Sequence, residues 1–150
     1  MIKIVLKKET VLFDRDEKGE LIPKEVDIVI DGRDYEQSKL KGEKIVIVPL
    51  PRGELRKVFS NISRVSALVA DAKTEEEKDL IRDDPKNDYD RFIIVKKCLQ
   101  PSFTDEDYEF MKDGMKTAIV NTILFESGLD TRKQTGKKAL EEKEDEFAKN

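Results

Sequence analysis

The chain has 150 residues, a net charge of -4 from 29 Lys plus Arg against 33 Asp plus Glu, and 41% charged against 37% hydrophobic residues. A chain of this length can bury a real core as one domain, but a mildly acidic chain with no dense basic run binds phosphate backbones poorly, so nucleic acid is not an expected partner. It has no histidine, which excludes Ser-His-Asp and Cys-His catalysis, and one cysteine, Cys98, which excludes a disulfide within the chain.

Residues 1–50 read as β-rich. Ile2, Ile4 and Leu6 alternate with Lys3, Val5 and Lys7, the period of a strand with one apolar face. The run is far too short for a signal peptide or a membrane span, so an intracellular protein without membrane partners is expected. Val11, Leu12 and Phe13 precede the turn-like 14-DRDEKGE-20. Val26, Ile28 and Ile30 alternate up to the turn dipeptide Asp31-Gly32. A second turn signal, Lys41-Gly42, leads into 44-KIVIV-48, which Pro49 and Pro51 end. Three or four short antiparallel strands fit this region.

The period then changes. Leu55, Val58, Phe59, Ile62, Val65 and Val69 recur at helical spacing, predicting an amphipathic helix over 52–71. Thr74-Glu75-Glu76-Glu77 has the form of a capping box and starts a short helix that Pro85 breaks. Tyr89, Phe92, Ile93, Val95, Cys98 and Leu99 predict a well-buried helix over 88–99, stopped by Pro101. Thr104 caps another helix, with Asp107 as the reciprocal carboxylate. Asp113-Gly114 punctuates again, and Met115, Ala118, Ile119, Thr122 and Ile123 form the inner stripe of a last helix that ends at Gly128 as a left-handed cap. Residues 130–150 are mostly charged, with Leu140 and Phe147 as the large apolar side chains, and are expected to form a frayed tail that orders on a partner.

Five groups carry possible chemistry. Asp14, Asp16, Gly19 and Glu25 match positions of a calcium loop, but Lys18 occupies a ligand position and Pro23 falls inside it, so a hairpin turn is the better reading. The acids in 75-EEEKD-79 and at Asp83 and Asp84 suit magnesium or a solvated helix face countered by Lys78 and Arg82; the solvated face is preferred. Cys98 lies on an apolar helix with no base to activate it and reads as a small core residue. The stretch 49-PLPRGELRK-57 lacks P-loop spacing and reads as a strand-to-helix connection rather than an anion site. Phe103, Tyr108 and Phe110 surround the Pro101 break, either as exposed anchors for a partner or packed beneath neighbouring helices. No catalytic, metal or cofactor-binding residues are assigned.

The "PLPRGELRKV" approach to a helix, the helix ending in "KKCLQP", the "FTDEDYE" cap, the "KDG" step and "AIVNTILFESGL" together resemble the tail assembly chaperones of long-tailed bacteriophages, over roughly residues 44–129. The resemblance implies a non-enzymatic protein of the bacterial host cytoplasm. It would bind the tape-measure protein, assist tail-tube subunits to assemble around it, and be absent from the finished particle. A structural virion protein, such as a tail-completion or head–tail connector subunit, is the alternative, and a metal-dependent hydrolase using the acidic clusters is less favoured.

The expected architecture is α+β. A single domain over 1–129 has a small antiparallel sheet in 1–50 and four to five helices in 52–129, followed by the charged tail 130–150. Expected protein contacts are Phe103, Tyr108, Phe110, Leu124 and Phe125, with self-association as a further expectation.

Overall fold

A computed structural model describes residues 5–129. The tail 130–150 and the predicted strand positions Ile2 and Ile4 lie outside the described residues. The remainder is an α+β fold with a three-stranded antiparallel sheet in the order β1-β2-β3. The elements in chain order are α1 (Lys8–Val11), β1 (Lys24–Asp27), α2 (Tyr35–Ser38), β2 (Lys44–Ile47), α3 (Arg52–Asp71), α4 (Glu75–Asp83), a 3₁₀ turn (Pro85–Asn87), α5 (Tyr89–Lys97), β3 (Cys98–Gln100), α6 (Asp105–Glu109) and α7 (Asp113–Glu126). The described part of the helical half therefore holds five α-helices, α3 to α7.

β1 and β2 pair from Lys24 opposite Ile47 to Asp27 opposite Lys44. The third strand comes from the helical half: Cys98 pairs with Ile47 and Gln100 with Val46. This corrects the helix expected over 88–99, which ends at Lys97. The Lys97 carbonyl accepts the Val48 amide at 2.9 Å, so the far edge of β2 draws these residues out of the helix. The strand expected through Ile30 also ends early, at Asp27. The Val29 amide instead donates to Thr122 Oγ1 of α7 at 2.8 Å. Residues 5–7 form no strand, and Val5 is 79% exposed. Alternation specifies a strand only where an edge or a core face receives it.

Helix termini follow local chemistry. Thr104 and Asp107 form the reciprocal capping box of α6. At α4 the Thr74 hydroxyl accepts the Glu77 amide at 3.1 Å, while the Glu77 carboxylate reaches past the cap to the Lys73 amide at 2.9 Å. At the end of α7, Gly128 adopts φ +105°. The Leu129 amide bonds the Leu124 carbonyl at 2.9 Å and the Gly128 amide bonds that of Phe125 at 3.0 Å, a Schellman cap. Gly114 is not a break between helices; it lies in the first turn of α7. A Cβ there would come within 2.9 Å of Asp34 Oδ1 and 3.0 Å of Glu36 Cβ, so glycine lets α2 pack against α7.

The core joins Ile45, Ile47 and Leu50 to Val58, Phe59 and Ile62 of α3, Ile93 and Ile94 of α5, and Ile119, Val120, Ile123 and Leu124 of α7. Every residue of α7 from Ala118 to Leu124 is buried, so this helix runs through the middle of the fold. Its hydroxyls tie it to the β-rich half. Leu50, fully buried between two prolines that have no N–H, donates its amide to Ser127 Oγ at 2.8 Å. Without that acceptor a buried donor would stay unpaired.

Candidate functional site

A cleft of about 380 Å³ opens between α3 and α5. Its apolar wall comes from Val58 of α3, Pro85, and Tyr89, Phe92 and Val95 of α5. α5 turns Ile93 and Ile94 inward, which leaves Phe92 and Val95 on the opposite side. Phe92 is 39% exposed, and so is Leu99, two residues beyond the helix. The expectation of a helix buried around most of its circumference is thereby corrected: one side is core and the other is an open apolar face.

Cations rim this face. Lys57, Lys86 and Lys96 border the cleft and are exposed. Lys86 pairs with Asp84 at 3.6 Å. Lys57 and Lys96 have no ion-pair partner among the described residues. Arg91 also borders the cleft but is committed elsewhere: its guanidinium pairs with Asp105 at 3.2 Å and with Glu109, and lies 5.0 Å from the centre of the Tyr108 ring. Arg91 thus links α6 to α5.

A second, wider depression of about 640 Å³ lies on the other side of Tyr89. Ile62, Val65 and Val69 of α3 form its apolar wall, and Asp88, Asp90, Tyr108 and Lys116 its polar wall. The polar groups there satisfy one another. Tyr108 donates its hydroxyl to Asp88 Oδ1 at 3.0 Å, and Lys116 pairs with Asp90 at 3.1 Å and Asp113 at 3.2 Å. Burial holds the Asp90 carboxyl above its ordinary pKa, only partly offset by the Lys116 ammonium. Burial, then the neighbouring Asp88 carboxylate, raises the Tyr108 phenol far above its usual range.

The five expected contact residues are dispersed. Phe110 is 83% exposed at the end of α6. Phe103 and Tyr108 are partly buried and pack against the core, and Phe125 is half-buried. Leu124 is completely buried and can touch no partner while the core is closed. Residues overlooked as a binding face are Phe92 and Val95; their signal was their position opposite Ile93 and Ile94 on one short helix.

The remaining groups have structural roles. Asp16 Oδ1 accepts the Lys18 and Glu20 amides, each at 2.9 Å, inside a hairpin bridged from Arg15 to Leu21. In the acidic helix, Glu75 pairs with Lys78 and Asp79 with Arg82 along the solvated face. Among the described residues, no group of three or more acids or cysteines is placed to hold a metal ion. Cys98 is buried, and burial pushes its thiol up to about 11. The stretch 49–57 is the β2–α3 connection, and α3 begins without a side-chain cap. Among the described residues no helix is long and apolar enough to cross a membrane. No family model, curated protein or solved structure matches the chain.

Proposed function

We propose that this protein is a non-enzymatic assembly chaperone of bacteriophage tails. It acts in the host cytoplasm, receiving an apolar helix of the tape-measure protein in the α3–α5 cleft while tail-tube subunits assemble. The observation that carries this reading is the apolar wall that Tyr89, Phe92 and Val95 form with Val58 in one cleft, rimmed by Lys57, Lys86 and Lys96. An exposed apolar cleft with a polar rim is the feature by which proteins take up amphipathic helices. The resemblance over 44–129 supports a tape-measure client, and the open apolar wall of the cleft supports binding there.

Co-expression with the tape-measure protein of the same phage tests it. The wild-type chain should raise the soluble fraction of that protein, and Phe92→Asp with Val95→Asp should remove the effect. No gain with the wild-type chain would contradict the proposal. Purified infectious particles should lack the protein; its presence there in stoichiometric amount would favour a tail-completion or connector subunit instead.

A further inference from the structure

The cleft between α3 and α5 is basic on an acidic chain. Four cations, Lys57, Lys86, Arg91 and Lys96, and two carboxylates, Asp88 and Asp105, line it, whereas the whole chain carries a net charge of -4. Both carboxylates are engaged. Asp88 Oδ1 accepts the Tyr108 hydroxyl at 3.0 Å and the Arg91 amide at 3.2 Å, and Asp105 pairs with the Arg91 guanidinium at 3.2 Å. Lys86 faces Asp84 at 3.6 Å. Lys57 and Lys96 are exposed and have no ion-pair partner among the described residues, so their charge is left for an incoming group.

The walls determine the shape of that group. α3 and α5 spend their interior backbone groups on their own helical bonds, so they offer no edge on which an extended chain could pair. A helix satisfies its own backbone and needs only a seat for its side chains. Tyr89, Phe92 and Lys96 stand at i, i+3 and i+7 of α5, which sets the apolar wall and a lysine on one face about 10 Å long. Lys57 adjoins Val58 on the α3 side. The fitting occupant therefore has about two turns of apolar stripe with acids beside it.

We propose that the cleft selects amphipathic helices of a partner protein whose apolar stripe is flanked by Asp or Glu, and discriminates against those flanked by Lys or Arg, through Lys57 and Lys96. The apolar wall supplies affinity, and the lysines choose among apolar helices by attracting one charge and repelling the other. The inference rests on the proposed function for the role of the cleft and adds the chemistry of the client segment. Its test uses synthetic helices and no tape-measure protein, so charge selection can fail while solubilisation stands, and the reverse.

The chain has no tryptophan, so one tryptophan in a peptide reports on binding to the full-length protein. Two peptides of about 18 residues share one apolar stripe containing that tryptophan and differ in their flanks, glutamate in one and lysine in the other. In about 0.1 M salt the glutamate peptide should bind at least about tenfold more tightly. Lys57→Glu with Lys96→Glu, both at exposed positions, should reverse the preference. Phe92→Ser with Val95→Ser should weaken both peptides alike, and about 1 M salt should narrow the gap between them. Equal affinity for the two peptides, a preference unmoved by the lysine reversals, or binding indifferent to Phe92→Ser with Val95→Ser would overturn the proposal. Equal affinities together with lysine-dependent co-sedimentation on phosphatidylserine–phosphatidylcholine vesicles would overturn it in favour of an anionic lipid surface.

Discussion

α5 and α7 lie side by side, both carry long apolar residues, and they meet different fates. α7 is buried on every side from Ala118 to Leu124, and its polar residues are absorbed there: Thr122 donates to the Ala118 carbonyl at 2.8 Å while accepting from Val29. α5 buries Ile93 and Ile94 and leaves Phe92 and Val95 beside lysines. The apolar content of a helix therefore does not reveal how much of it is core. What separates the two is whether polar neighbours face inward, as hydrogen-bonded ties, or outward, as a charged rim.

Substitutions should make that contrast measurable. The largest effect is expected from Ile123→Ala at the centre of α7. A fully buried isoleucine truncated to alanine costs about 2–5 kcal/mol, read as a lower urea midpoint. Ser127→Ala comes next, because it strands the buried Leu50 amide at a cost of about 1–3 kcal/mol. On the outer face of α5, Phe92→Ser should change stability by less than about 1 kcal/mol, since the ring is already partly in water, yet weaken client solubilisation. A stability loss for Phe92→Ser as large as that for Ile123→Ala would erase the distinction between the two helices.

A smaller effect concerns pH. The folded Asp90 carboxyl binds its proton more readily than the unfolded one, whose pKa is about 3.9. Its contribution to stability is full below the unfolded value and is lost as pH rises through the folded value. The groups around it are Lys116, Asp88 and Asp113. Asp90→Asn should remove this acid-side gain, so in urea melts the stability of the wild type relative to the variant should increase as pH falls from neutral through the mildly acidic range.

Much of the fold could be read from local sequence because its causes are local. The apolar period of 52–71 defines α3, Thr104 with Asp107 defines the start of α6, and Gly128 defines the end of α7. The misreadings share a non-local cause. Cys98 and Leu99 continue the apolar pattern of the helix expected over 88–99 and become part of a strand because β2 takes them as its edge partner. Leu124 is as apolar as a contact residue should be, but the surrounding elements close over it. The cleft was illegible because it belongs to no single segment: Val58 and Lys57 come from one helix, and Phe92, Val95 and Lys96 from another.

The central claim is that the open face of α5 shields an apolar helix of another chain. Its most direct measurement is the soluble fraction of the tape-measure protein co-expressed with the wild-type chain or with Phe92→Asp plus Val95→Asp, after urea melts have shown that the variant is folded. The account predicts a high soluble fraction with the wild type and a return to the unassisted level with the folded variant. Equal rescue by both proteins would contradict it.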